Sequence, residues 1–263
     1  GMGMFGAALA TGIAPIISIA VLSLHFARGK NSFRLQKCKP DFKSIGTIFS
    51  LGFPSFVMEM SNGIVIIILN FVILGISGNM GVAAYGIVAN LALVAVSVFT
   101  GEAQGIQPII SYNYGAGNVR NIKKTYRLAL ITALCLGVLL YLSGVLFTDQ
   151  IVSVFNRDND PQLLSLASRG VQLYFTVFLI MGINIVTVSF FSSTARPVQS
   201  FVLSILRGFA AVIPFAAALP AFFGLDGAWL CIPAAEAVTL LLSVVLVKKS
   251  HLKAPAVQAE TVS

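Results

Sequence analysis

The chain has 263 residues, of which 57% are hydrophobic and 10% are charged, and its mean hydropathy is +0.92. This composition excludes an ordinary soluble domain. The net charge of +8 does not indicate a nucleic-acid partner, because most of the 17 Lys and Arg residues lie in short stretches beside apolar runs. The sequence therefore predicts a membrane protein whose partner is the lipid bilayer.

Seven apolar stretches reach the length of about 20 residues that a helix needs to cross a bilayer. Open strands cannot span lipid, so we predict a helix for each stretch. The stretches are residues 4–27, 45–74, 81–111, 126–147, 163–193, 199–223 and 228–247. The predicted fold class is all-α, a polytopic transmembrane helix bundle with about seven spans.

The connections between these stretches alternate in charge. The basic ones are residues 28–44, 112–125, 194–198 and the tail after residue 247, and the acidic or neutral ones are 75–80, 148–162 and 224–227. Basic loops of membrane proteins stay in the cytoplasm. We therefore expect the first helix to run inward and the C-terminus to be cytoplasmic.

Residues Gly101–Asn118, GEAQGIQPIISYNYGAGN, close the third stretch with amides, a proline and glycines. A polar, broken helix end should face protein or a water-filled cavity, because lipid cannot satisfy its backbone groups. A helix that ends in QP, followed by S-x-N-x-G-A-G-N and a basic segment, resembles the multidrug and toxic compound extrusion (MATE) transporters.

The resemblance implies a division of the chain into four parts. Residues 1–27 would be the last helix of an N-terminal lobe, 28–44 a cytoplasmic linker, 45–247 a six-helix C-terminal lobe, and 248–263 a cytoplasmic tail. The chain also opens in mid-helix with no hydrophilic lead-in. We therefore expect it to lack an N-terminal lobe, which would be its partner.

The function that the resemblance implies is secondary active multidrug efflux in a bacterial inner membrane, with drug-like organic cations or amphiphiles exported in exchange for H⁺ or Na⁺. We predict no enzyme activity and no cofactor, because the sequence carries no enzyme signature and His25 and His251 do not form a pair. Without a Gly-rich phosphate loop and its Lys, ATP-driven export is unsupported as well. We predict no metal site either, because Cys38, Cys135 and Cys231 are far apart in the sequence and lack metal-ligand spacing.

The second stretch carries the acid that we expect to bind the ion or the drug. Glu59 shares one helix face with Asn62 and Asn70, and it lies roughly 20 Å from the start of the stretch, near the bilayer middle. Pro54 would let the helix bend beside it. The alternative role for Glu59 is a hydrogen bond that joins two helices.

Two further stretches supply candidate cavity residues. Gln104 belongs to a polar row on the third stretch, where Gly101 and Pro108 form a predicted hinge. Asn184 and Thr187 share a face of the fifth stretch. Near the cytoplasmic end of the third stretch, Glu102 is displaced from the polar row, and we expect it to pair with a basic loop residue.

Arg207 and Glu236 each lie about 12 Å deep, counted from opposite faces of the membrane, so they can neutralise each other as a structural ion pair. Sodium-coupled MATE proteins carry an acid that would match a position near Gly182, where this chain has none. The coupling ion, H⁺ or Na⁺, therefore stays open.

Two other functions remain as alternatives. A lipid-linked oligosaccharide flippase of the same superfamily would carry several cationic residues in its cavity, whereas Arg207 is the one Arg or Lys at convincing mid-depth. A non-transporting membrane fragment or scaffold is the second alternative, because a lone lobe lacks its counterpart.

Overall fold

Eight α-helices make up the computed structural model over the residues that it describes, 3–27, 42–156 and 159–250. They are α1 (Gly3–Ala27), α2 (Phe42–Gly115), α3 (Val119–Leu146), α4 (Thr148–Phe155), α5 (Pro161–Tyr174), α6 (Phe178–Ser193), α7 (Pro197–Ile205) and α8 (Val212–Lys249). A 3₁₀ turn, Phe175–Val177, joins α5 to α6, and a π-helical turn, Leu206–Ala210, follows α7. These ranges contain no strand, and the prediction of an all-α membrane protein is confirmed.

Four helical segments of the described chain are long and apolar enough to cross a membrane. They are Glu59–Gly115, Val119–Leu146, Pro161–Ser193 and Pro197–Lys249. The first and last contain a sharp kink, at Gly78 (φ 61°) and at Gly224 (φ 55°), a backbone region that favours glycine. Both kinks fall in predicted connections, 75–80 and 224–227. The number of seven spans stays a prediction.

Two predicted boundaries are wrong. The fourth stretch was placed at 126–147, but α3 already begins at Val119, because the Asn118 side chain accepts a hydrogen bond from the backbone N–H of Asn121 and caps the helix. The predicted connection 148–162 contains the short helix α4, which includes Asp149 in its first turn.

The chain divides into two units, Gly1–Phe42 and Lys43–Ser263. The first unit contains α1, whose apolar side chains such as Ile16 and Leu22 are largely exposed. The predicted linker falls mostly on residues 28–41, outside the described ranges, as do residues 251–263 of the tail. The four-part division therefore stays a prediction.

Within the second unit, α6 packs closely against α3 and α2 through glycines. A Cβ atom on Gly137 of α3 would lie 2.2 Å from the carbonyl oxygen of Phe178, and one on Gly182 of α6 would lie 2.6 Å from the fully buried ring of Phe99. Small residues let helices approach closely in a membrane, where lipid is as apolar as the side chains. These contacts hold α6 in the interior beside both other helices.

The π-helical turn interrupts what the sequence predicted as one helix over 199–223. Gly208 in this turn faces α2, where a Cβ atom would lie 2.1 Å from Oγ of Ser61. Turns of this type are frequent at functional sites. Here the turn carries Arg207 and brings it into the interior of the unit.

Candidate functional site

A cavity of about 150 Å³ lies between the two halves of α2 and the helices α6 and α7. We call it the Glu59 cavity. Its polar lining residues are Glu59, Thr100, Gln104, Gln107, Ser189, Ser192 and Ser200. The kink at Gly78 reverses α2, so that an acid from its first half can face amides from its second half.

The walls of the Glu59 cavity are tied together by side-chain hydrogen bonds to the backbone. The Ser189 hydroxyl of α6 donates to the carbonyl oxygen of Ala103 in α2 at 3.1 Å. The Ser200 hydroxyl of α7 donates to the carbonyl oxygen of Val188 in α6, also at 3.1 Å. These bonds join α6 to the second half of α2 and α7 to α6.

The chemistry of this lining suits a cation. Glu59 is an exposed carboxylate that lines the cavity, and the amides and hydroxyls around it both accept and donate hydrogen bonds. Carboxylate, amide and hydroxyl oxygens can bind a proton, an alkali cation or an organic ammonium group. A single carboxylate cannot pair fully with two of these at once, so they compete for it.

A second polar group lies in the interior around Glu236 of α8. Its Oε1 accepts hydrogen bonds from Nη2 of Arg207 at 2.6 Å and from Nε at 3.0 Å. Asn184 of α6 donates through Nδ2 to Glu236 Oε2 at 2.6 Å and to the Glu236 carbonyl oxygen at 2.9 Å, while Ser243 donates to Asn184 Oδ1 at 3.1 Å. The two charges are thus paired and hydrogen-bonded out of water, as buried charges need to be.

Arg207 and Glu236 also line a smaller pocket of about 90 Å³, which we call the Tyr85 pocket. The rest of its lining is apolar or aromatic and includes Tyr85, Tyr174 and Met181. The ring centre of Trp229, the single tryptophan of the chain, lies 6.1 Å from that of Tyr85.

The predicted binding residues are distributed over several places. Glu59 and Gln104 line the same cavity. Asn184 instead belongs to the Glu236 network and is fully buried. Thr187 is also buried, and its hydroxyl lies 2.9 Å from that of Tyr126 in α3.

Asn70 takes part in neither polar group, and the remaining predicted residues belong to the hinge or fall outside the described side chains. Asn70 donates from its side chain to the carbonyl oxygen of Ile66, within its own helix. Asn62 and Pro54 fall outside the described side chains. α2 stays helical through Gly101 and Pro108, and the non-helical backbone angles lie at Gly78. The hinge therefore stays a prediction.

The expectation for Glu102 is wrong. Both of its carboxylate oxygens are buried, and neither has a hydrogen-bond partner among the residues that the structure describes. Glu102 lies about 160° around the α2 helix from Gln104, since two residues turn a helix by about 200°. It therefore points away from the Glu59 cavity.

Several cavity residues were absent from the predicted site. Ser189 and Ser192 line the cavity from α6, on a different face from Asn184 and Thr187. Both pairs have the same three-residue spacing, so the spacing alone did not separate them. No cluster of three His, Cys, Asp or Glu residues that could hold a metal forms within 3–27, 42–156 and 159–250.

The family model described as MatE matches residues 54–244. Among curated proteins, the multidrug export protein MepA of Staphylococcus saprophyticus is 26% identical over 252 residues, which is 94% of this chain and 54% of that protein. MepA of Staphylococcus haemolyticus is 28% identical over 249 residues, which is 92% of this chain and 53% of that protein. The chain spans about half the length of the curated relatives that it matches.

Solved structures share the fold. A MOP superfamily transporter from Pyrococcus furiosus superposes with a TM-score of 0.85 at 20% identity, covering 94% of this chain and 56% of that one. The MATE multidrug transporter DinF-BH, solved in complex with R6G, gives a TM-score of 0.80 at 27% identity. The match covers 95% of this chain and 56% of that one. In both cases the similarity covers nearly all of this chain and about half of the other.

Proposed function

The chain belongs to the MatE family, and from this premise we propose that it is the C-terminal lobe of a secondary active exporter of organic cations or amphiphiles. The membership confirms the resemblance predicted from Gly101–Asn118 and identifies a transporter family rather than an enzyme family. The relatives named as multidrug export proteins support drug-like substrates. Because the chain spans about half of their length, transport would need the N-terminal lobe as well.

The observation that carries the proposal is the carboxylate of Glu59 in a polar cavity between apolar helices. Ionisable groups at membrane depth are costly and usually serve an ion or substrate pathway. A proton or Na⁺ on Glu59 would compete with an organic cation for the same negative charge. Export against an inward ion flow then requires that the two bind alternately, as the cavity opens first to one side and then to the other.

The flippase alternative is less well supported. An anionic pyrophosphate or acidic glycan needs uncompensated positive charge in its cavity. Arg207, the residue that kept this alternative open, is neutralised by Glu236 at 2.6 Å. The Glu59 cavity itself carries a carboxylate and no Arg or Lys among its described lining residues.

We further propose a multi-pass protein in a bacterial inner membrane with a cytoplasmic C-terminus. The alternation of basic and acidic connections supports this orientation. Cysteines introduced at Lys123 and Asp149, in a background without native cysteines, would test it by labelling with an impermeant maleimide. We expect the Asp149 site to react from outside and the Lys123 site from inside, and the reverse result would refute the orientation.

The functional test uses the full-length protein that contains this chain. We expect Glu59→Gln to express normally but to lose resistance to cationic drugs, because the amide keeps the shape of the side chain and loses its charge. Glu59→Asp should keep part of the activity. The matched control is Glu102→Gln, the same chemical change on another face of α2, which should leave export intact.

A Glu59→Gln protein that exports as well as the wild type would refute the proposed role of the cavity. Expression of this chain alone separates the remaining alternative. If the chain without the other lobe confers full drug resistance, the two-lobe account is wrong. If the full-length protein confers no drug resistance, a non-transporting scaffold becomes the better account of the chain.

A further inference from the structure

Four exposed cations lie on one side of the first three turns of α3. They are Arg120, Lys123, Lys124 and Arg127, and we call them the α3 basic patch. Each residue turns a helix by about 100°, so their spacing confines them to about 100° of the circumference. None of the four forms an ion pair within residues 3–27, 42–156 and 159–250. The sequence of α3 contains no Asp or Glu, and the positive charge of the patch is therefore uncompensated within the helix.

The α3 basic patch continues into an apolar stripe on the same side of the helix. From Arg120 the stripe passes through Lys124 and Arg127 at spacings of four and three residues, which keeps it on one face. At the same spacings it continues through the exposed residues Ile131, Leu134, Val138, Leu142 and Val145. The opposite face of α3 is buried and consists of Ile122, Ala129, Ala133, Gly137 and Gly144. One face of the helix therefore packs on the protein, while the other is cationic at its amino end and apolar beyond it.

The dimensions of this exposed face match a phospholipid. With a rise of about 1.5 Å per residue, the charged part is about 10 Å long and the apolar part about 21 Å long. One leaflet takes up half of a bilayer core that is about 30 Å thick. A phospholipid whose phosphate lies beside the α3 basic patch would therefore lay its acyl chains along Ile131, Leu134 and Val138.

Neither helix stability nor membrane topology accounts for the one-sided position of these cations. The amino end of a helix carries partial positive charge, so cations close to it are unfavourable. The positive-inside rule concerns the number of charges at a membrane end and is indifferent to the helix face on which they lie. Confinement of all four cations to the exposed face, next to an exposed apolar stripe, favours a ligand with an anionic head and apolar chains.

We propose that the α3 basic patch binds the phosphate of an anionic phospholipid, whose acyl chains contact the apolar stripe. Arg120 and Arg127 can each hold two phosphate oxygens, while Lys123 and Lys124 contribute compact charges. The described lining of the Glu59 cavity includes no residue of α3, so the lipid site lies apart from the proposed transport site. The inference rests on the membrane-embedded fold and not on the export of cations, and each can fail without the other.

The test measures which lipid lies beside Cys135, an exposed residue of α3 about 12 Å beyond Arg127 and three residues before Val138. The purified full-length protein, with Cys135 as its one cysteine, is labelled there with the fluorophore bimane. It is reconstituted into equimolar phosphatidylglycerol and phosphatidylcholine. One lipid and then the other carries a nitroxide on its acyl chain, which quenches the fluorophore on contact.

We expect phosphatidylglycerol to be preferred beside Cys135 by about fivefold or more, since one basic residue near an anionic lipid is worth about a fivefold change in binding. The preference should shrink in about 1 M NaCl, where the Debye length falls to about 3 Å. Lys123→Gln combined with Arg127→Gln should remove most of the preference, whereas Arg127→Lys keeps the charge and should retain most of it.

The matched control is Lys248→Gln combined with Lys249→Gln, which removes two exposed cations from the end of α8. Ile122 of α3 and Val247 of α8 pack in one apolar cluster, so both pairs of cations lie at the same end of the unit. The control should keep the preference for phosphatidylglycerol. In vesicles of phosphatidylcholine alone, quenching by the nitroxide lipid should be equal in all variants, which shows that α3 stays folded in the membrane.

Four results would overturn the inference. Equal quenching by the two lipids in the wild type would exclude a preference, and a preference that survives the double variant would exclude the α3 basic patch as its cause. An equal loss in the Lys248 and Lys249 control would indicate a diffuse surface charge rather than a site. Absence of quenching by either lipid would show that protein covers this face of α3. Drug export that depends on Glu59 would stand in each case.

Discussion

Replacing Glu236 by Gln should be among the most destabilising single changes in the chain. The change weakens the acceptor of two hydrogen bonds from Arg207 and removes the negative charge that compensates it. The Arg207 and Glu236 side chains are only 9% and 4% exposed, so water cannot replace the lost partner. Breaking a buried ion pair by removing one member costs about 3–5 kcal/mol.

Removing both members should cost much less. In Arg207→Met with Glu236→Leu, apolar side chains of similar size replace both charges, which is often neutral or stabilising. Asn184 then loses one acceptor but keeps the carbonyl oxygen of residue 236, at 2.9 Å in the wild type. The remaining cost is about 1–3 kcal/mol or less, the size expected for one unsatisfied buried donor.

Equilibrium unfolding of the purified protein in mixed detergent micelles, titrated with a denaturing detergent and followed by circular dichroism, measures these differences. We expect Glu236→Gln to be the less stable variant and the double variant to lie between it and the wild type. A single variant as stable as the wild type, or a double variant worse than the single one, would refute a buried, energetically coupled pair.

Three further predictions concern packing and surface contacts. Gly137→Ala should lower stability by about 1–3 kcal/mol, because the new Cβ atom would lie 2.2 Å from a backbone carbonyl oxygen of α6 and the helices must separate; unchanged unfolding would contradict this. Arg169→Ala should not change the unfolding midpoint measurably, since its ion pair with Asp226 is solvent-exposed; a large shift would contradict this. Thr187→Val should lower the free energy of unfolding by about 0.6–1.7 kcal/mol, because the hydrogen bond to Tyr126 is lost, and it should leave the binding of organic cations unchanged. Weaker cation binding in equilibrium dialysis would show that Thr187 contacts the ligand.

The helical architecture could be predicted because the bilayer restricts the choices. Apolar length and the exclusion of open strands identified the helices, and the connections 75–80 and 224–227 contain the kinks at Gly78 and Gly224. Helix ends were less predictable. Asn118 caps α3 several residues before its apolar stretch begins, through a local hydrogen bond that hydropathy does not report.

The candidate site could be predicted only in part, because a helix face does not reveal its neighbour. Glu59 and Gln104 share a cavity as their polar faces suggested. Asn184 also lies on a polar face, yet it contacts Glu236 on a helix more than fifty positions later. The π-helical turn that carries Arg207 was not predicted, because Gly208 within it and Pro214 four residues after Ala210 indicate an irregular helix but not its type.

The most direct test of ion-coupled export through Glu59 is transport by the full-length protein in proteoliposomes. An imposed gradient of H⁺ or Na⁺ should drive 4-phenylbutyltrimethylammonium against its own concentration gradient, and Glu59→Gln should abolish this accumulation while Glu102→Gln preserves it. Accumulation that proceeds at the wild-type rate in Glu59→Gln, or movement that ignores both ion gradients, would contradict the account.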